Sequence, residues 1–180
     1  MEQVQELARV DGTLCDLDQI YWNTALDTLR ILARKHSLEK ETIFFLEPMS
    51  GCLPEQRDIQ ALGKKYPTVL PRTVILLTEK PPEGRHWTDT LGCRFAVQSE
   101  YSDSFTSHAA FVILREEQTD GIETDEEKQE AVQQIVRGAE QRGQQILALN
   151  VRNEAAMCTL VLCGVTYVHG RLFSGNNCFS

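Results

Sequence analysis

Groups able to do chemistry are sparse in this sequence and do not gather. The four histidines, His36, His86, His108 and His169, stand without a Cys, His or carboxylate at ligand spacing, so no zinc pattern emerges. His169 lies alone in an apolar stretch, where a histidine is ordinarily a packed core residue. The six cysteines (15, 52, 93, 158, 163 and 178) contain no CxxC pair. Cys158 and Cys163, five apart in an apolar run, read as small buried hydrophobes with reduced thiols. A catalytic triad assembles from distant positions, but no nucleophile elbow marks a candidate serine. Neither Gly-x-Gly-x-x-Gly nor the P-loop pattern occurs, which leaves no phosphate-cradling glycine loop. Trp22 and Trp87 read as a helix-packing residue and a loop anchor rather than base-stacking platforms.

One cluster does stand out. Residues 116–130, EEQTDGIETDEEKQE, hold eight carboxylates and one lysine, a balance of −7 within a chain whose formal charge is −8. The rest of the chain is therefore nearly neutral. Two uses fit such a segment: a solvated loop leading into a helix, or an electrostatic contact with a basic partner. Thr124 with Glu127 reads as a capping box at that helix start. Glu123, Asp125, Glu126 and Glu127 are the candidate partner contacts. An acidic balance argues against nucleic-acid binding through a broad basic face.

The elements that must position these groups are those of one domain. At 180 residues a chain can bury roughly 70% of its unfolded surface without disulfides or metals. Residues 1–180 are read as a single domain. Residues 16–36 carry Leu17, Ile20, Tyr21, Ala25, Leu26, Leu29, Leu32 and Ala33 at helical spacing, with an acidic start and a basic end. A short β-rich run follows at 41–48, then a helix over 54–66 with Ile59 and Leu62 on one face. Strand-length apolar runs appear at 72–80, 93–99, 108–116, 145–151 and 165–173. Helices are expected at 128–144, with Ala131, Val132, Ile135, Val136 and Ala139 inward, and at 153–163. Strands that are apolar throughout and alternate with helices imply a parallel α/β sheet, open or closed. The N-terminus lacks the pattern of a signal peptide, and no apolar run approaches the ~20 residues of a membrane span. A cytoplasmic location and no membrane insertion are the expectations.

The order of these pieces resembles the EAL domain, the TIM-barrel-like phosphodiesterase of bacterial cyclic di-GMP signalling. QELARVDGTLCDLDQIYWNTAL is similar to that family's first helices, and VILLTEK to its "v-l-E-l-T-E" strand. LGCRFAVQSEYSDSF resembles "l-G-v-x-l-A-l-D-D-F-G-t-G", and AAFVILRE the lysine strand "d-x-i-K-l-D". The fullest stretch is QQILALNVRNEAAMCTLVLCGVTYVHGRLFS, which resembles "v-v-A-E-G-V-E" continued through "Q-G-y-l-f-s", with Gly164, Gly170 and Leu172-Phe173 in step. The resemblance implies an incomplete, EAL-type parallel barrel that lacks the family's first strand, which carries its E-A-L signature.

The departures are chemical. Members of the family hold two divalent metals through carboxylates and an amide. Here the strand glutamate falls on Leu76, with Thr78 and Glu79 kept. Glu79 without its partners reads as a strand-end residue facing solvent. The aspartate pair falls on Gln98 and Ser99, the lysine on Ile113 and the next aspartate on Arg115. The two later glutamates fall on Leu149 and Arg152, the glutamine of "Q-G" on His169, and the asparagine near Leu46 or Glu47. Aliphatic groups at Leu46, Leu76, Ile113 and Leu149 would fill the metal site. The resemblance therefore implies a catalytically dead domain with no cofactor or metal, not an enzyme. It would regulate by protein–protein contact, with a protein partner or as a homodimer. The alternative is a cyclic di-GMP receptor without hydrolysis, for which Arg115, Arg152 and Arg171 are the candidate ligand contacts.

Overall fold

The structure, a computed structural model, describes residues 7, 10–35, 42–48, 56–77, 93–101 and 109–170. Thr78, Glu79, His36, His86, Trp87, His108, Arg171, Leu172 and Phe173 lie outside the described residues. The chain forms two compact units, Met1–Phe95 and Ala96–Ser180.

In the first unit, helix α1 runs Leu14–Lys35, opened by Asp16 and closed by Arg34 and Lys35. These charges complement the helix dipole. Its buried stripe is Asp18, Trp22 and Leu26, each four residues from the next. Ile20, expected to face inward, is instead 66% exposed. The stripe is centred on the large Trp22 ring, and at 100° per residue Ile20 falls well round from it. Trp22 packs in the core, as its helical position suggested. Helix α2, Gln56–Lys65, buries Ile59 and Leu62 as expected. Hydrogen bonds tie its end to α1, among them Tyr66 Oη donating to Asp27 Oδ2 at 2.9 Å and Lys65 Nζ to Asn23 Oδ1 at 2.7 Å. Strand β1, Phe44–Leu46, lies parallel to β2, Thr73–Leu77, with Leu46 opposite Ile75. Every residue of β2 is buried, the pattern of a strand covered on both faces.

Strand β3, Arg94–Gln98, carries the division between the units. The second unit continues with β4, Ala109–Leu114, the single turn α3, Glu116–Thr119, and helix α4, Glu126–Gln141. Strand β5, Gln145–Val151, helix α5, Glu154–Leu162, and strand β6, Tyr167–Gly170, complete it. β4 pairs parallel with β5, and β5 with β6. The fold class is α/β with parallel strands, as the alternation predicted.

One sheet face of this unit packs against helices. Val112, Leu114, Ile146, Ala148 and Val151 meet Val132, Val136 and Ala139 of α4 and Ala156 and Leu160 of α5. Ala131 was expected in that stripe but is exposed, one step of 100° outside the arc held by Val132 and Val136. The cap of α4 also differs from expectation. Asp125, not Thr124, is the N-cap, its carboxylate accepting from Lys128 N at 3.0 Å. Thr124 belongs to the preceding 3-10 turn and donates its hydroxyl back to Gly121 O. No capping box with Glu127 results, because the third residue after Asp125 is Lys128. Helix α5 is capped by Asn153, whose Oδ1 accepts from Ala156 N at 2.7 Å.

Cysteine environments divide. Cys163 is buried, whereas Cys158, expected to be buried with it, is exposed on the outer side of α5. In the first unit, burial pushes the Cys93 thiol up to about 12, a backbone hydrogen bond opposing only in part. A thiol reacts as its thiolate. Iodoacetamide at pH 8, followed by peptide mass mapping, should therefore modify Cys158 well before Cys93 and Cys163. Equal labelling of the three would mean that α5 packs differently.

Candidate functional site

The sheet face of the second unit opposite the helices carries Ile113, Leu149 and His169. Along β4 to β6, side chains alternate between faces. Residues outside the helix-packed set, namely Phe111, Ile113, Leu147, Leu149, Tyr167 and His169, share this second face. Its lower part is closed by apolar groups. Phe111 meets Tyr167 edge-on, ring centroids 5.5 Å apart, and Ile113 pairs with Leu147 in register. Ile113 is buried and Leu149 half-buried. In the first unit, Leu46 and Leu76 are likewise buried.

At the carboxyl ends of the strands the backbone turns irregular. β5 carries one extra residue between Ala148, opposite Val168, and Val151, opposite Gly170. Asn150 in this bulge has φ 59°, a left-handed conformation that asparagine tolerates better than most residues. His169 lies opposite the bulge and is exposed. The expectation of a packed core histidine is thus corrected: an edge position beside a bulge leaves the ring uncovered.

Arg115 and Arg152 follow directly on β4 and β5, and each meets carboxylates of its own chain. Arg115 lies 3.2 Å from Glu100 and 3.8 Å from Glu117. Arg152 pairs with Glu116 and lies 3.5 Å from Asp120. Below them, Gln118 Oε1 accepts from both Ser99 Oγ at 3.1 Å and Arg115 N at 2.8 Å, joining the ends of β3 and β4. Each ion pair is largely exposed and worth ~0.2–1 kcal/mol. The ends of the strands are nevertheless laced together by them, and both guanidinium groups face negative charge.

The acidic segment is solvated, with six of its eight acidic residues exposed, but it is not an irregular loop. It is the turn α3, a 3-10 turn over Ile122–Thr124 and the start of α4, anchored by the fully buried Ile122. Of the four candidate contacts, two serve the fold. Glu123 Oε1 accepts from Asn153 Nδ2 at 2.8 Å, and Asp125 caps α4. Glu126 and Glu127 are exposed.

The donor set can be compared with what two divalent cations require, which is hard oxygen ligands converging on one point. The matched positions present aliphatic side chains at Leu46, Leu76, Ile113 and Leu149, and guanidinium groups at Arg115 and Arg152. Aliphatic groups cannot ligate, and guanidinium groups repel a cation. These side chains supply no oxygen ligand for a divalent cation. Among the described residues, no three His, Cys, Asp or Glu side chains are grouped to hold an ion, and no helix is long and apolar enough to cross a membrane.

Comparison with known proteins places the fold. No family model and no curated protein matches the sequence. Solved structures do match. The EAL domain of Xanthomonas citri FimX, in complex with c-diGMP, superposes with a TM-score of 0.69 at 18% identity, over 93% of this chain and 72% of that one. The EAL enzyme Bd1971, in its cAMP- and cyclic-di-GMP-bound form, gives a TM-score of 0.75 at 15% identity, over 94% and 51%. The PaMucR phosphodiesterase, as a c-di-GMP complex, gives 0.75 at 13% identity, over 95% and 75%. This chain thus spans between about half and three quarters of the length of these structures.

Proposed function

Starting from the EAL-type fold, we propose that this chain is a non-catalytic regulatory domain in cyclic di-GMP-related signalling, acting in the cytoplasm through contact with another protein. One observation carries the reading: the ends of β4 and β5 present Arg115 and Arg152, already neutralised by carboxylates of the same chain, beside the aliphatic Ile113 and Leu149. Hydrolysis of a phosphodiester by metal-activated water needs the opposite arrangement, with carboxylates holding cations and room for a water. A protein that retains the scaffold and its exposed charges without that site keeps the surfaces for recognition. The structural relatives bound to cyclic di-GMP support the signalling context and favour a second reading, a receptor that binds the dinucleotide without cleaving it. In that reading Arg115 and Arg152 would have to exchange their carboxylates for phosphates.

Purified chain incubated with cyclic di-GMP and Mg²⁺ or Mn²⁺ is expected to leave the nucleotide intact. Titration calorimetry is expected to show no binding in the micromolar range. Turnover abolished by Glu47→Gln would overturn the non-catalytic reading. Micromolar binding abolished by Arg115→Ala with Arg152→Ala would establish the receptor instead.

A further inference from the structure

Helix α5 is apolar apart from Glu154 and Thr159, yet only one side of it is buried. Its sequence, EAAMCTLVL, has a single charged residue, Glu154 at the start. Ala156, Leu160 and the following Cys163 enter the core, with Met157 packed against it. The remaining arc holds Ala155, Cys158, Val161 and Leu162, all exposed, Leu162 to 86% and Val161 to 56%, with Glu154 at its amino end. A surface helix ordinarily turns polar residues to water, and one that is apolar all round is ordinarily buried all round. The unburied arc is an apolar contact face.

Charge defines its border. Cys163 Sγ donates to Gln129 O, and Gln133 Nε2 donates to the same sulfur, so the Gln129–Gln133 side of α4 lies against the end of α5. At 100° per residue Glu140 shares that strip of α4 and Glu126, Glu130 and Arg137 form the next strip outward, all exposed, three carboxylates to one guanidinium. At the other end of α5, Glu123 is hydrogen-bonded to the capping Asn153 and Glu154 begins the helix. The apolar arc is thus bordered by acidic groups along α4 and at its own amino end.

We propose that this surface, on the outer side of α4 and α5, docks an amphipathic helix of a partner protein whose apolar stripe is flanked by Lys and Arg. Resting on the protein-contact reading above, the assignment specifies the face and the chemistry of the partner. An apolar stripe seated between flanking charges is the helix-in-groove mode of recognition. A second copy of this chain fits less well, because it would set two acidic borders against each other.

The probe is a fluorescent Leu/Lys amphipathic helical peptide, with its Leu/Glu counterpart as control, titrated against the full chain by anisotropy at low and high salt. Saturable binding of the Leu/Lys peptide alone is expected. Val161→Ser with Leu162→Ser should weaken it about tenfold or more, since both groups lose apolar burial. Glu126→Lys with Glu130→Lys should weaken it and flatten its salt dependence. Absence of binding, or binding indifferent to the serine pair, would overturn the proposal. So would a homodimer in sedimentation that the serine pair dissolves. A chain that cleaves cyclic di-GMP yet binds the peptide through Val161 and Leu162 would sink only the non-catalytic reading. An inert chain whose peptide binding ignores those residues would sink only the docking face.

Discussion

Gly170→Ala is expected to cost about 3 kcal/mol or more, the upper part of the range for overpacked or strained sites. A Cβ at this position would stand 1.9 Å from the carbonyl oxygen of Val151 and 2.7 Å from its carbon and nitrogen. These are backbone atoms of the paired strand, so no side-chain rotation relieves the clash. The close approach has a local cause. The extra residue in β5 brings Val151 opposite Gly170, and the left-handed Asn150 turns the chain into that place. Gly121→Ala is the natural control. Unlike Gly170, it has a positive φ, 72°, but nothing lies within 4 Å of a new Cβ, so the substitution should cost only ~1–2 kcal/mol. Urea denaturation followed by circular dichroism would compare them. Equal midpoints for the two variants would refute the close packing of β6 on the bulge.

Ile122→Ala is expected to destabilise the chain by ~2–4 kcal/mol, although it lies within the most acidic stretch of the sequence. Ile122 is fully buried and belongs to the cluster that includes Leu114, Val132 and Ala156. Its truncation would leave a cavity where the 3-10 turn meets the core. Glu126→Gln with Glu127→Gln, on exposed positions of the same segment, should move stability by no more than ~0.5 kcal/mol each. Denaturation midpoints of both variants make the comparison. If Ile122→Ala were as mild as the charge substitutions, the segment would be an irregular loop after all. The distinction governs how a partner should be sought: deleting residues 117–126 would remove the anchor with the charges, whereas neutralising carboxylates tests the charges alone.

Much of the fold was legible because its signals are local. The apolar runs that became β2 and β4 are buried almost throughout, and the spacing of Ile59 and Leu62 located α2. Helix faces were read less well wherever two apolar residues competed for one stripe. Counting apolar positions favoured Ile20, but the ring of Trp22 set the orientation of α1. The same counting placed Ala131 inward and Cys158 in the core, and both are exposed. Caps depend on one backbone angle, and Thr124 and Asp125 are equally good cap residues in sequence. The extended backbone at Asp125 decided between them.

What the sequence by itself determined is the order of parallel strands and helices, and the apolar character of Leu46, Leu76, Ile113 and Leu149. Residue identity and periodicity suffice for both. Tertiary structure alone decided which charges are already answered. Arg152 and Glu116 lie 36 residues apart, as do no residues that a local pattern could pair; they meet because β4 and β5 end side by side in register. It also decided that half of α5 stays uncovered. An apolar helix looks the same in sequence whether its outer side is packed or bare, since burial depends on what the rest of the chain brings to it.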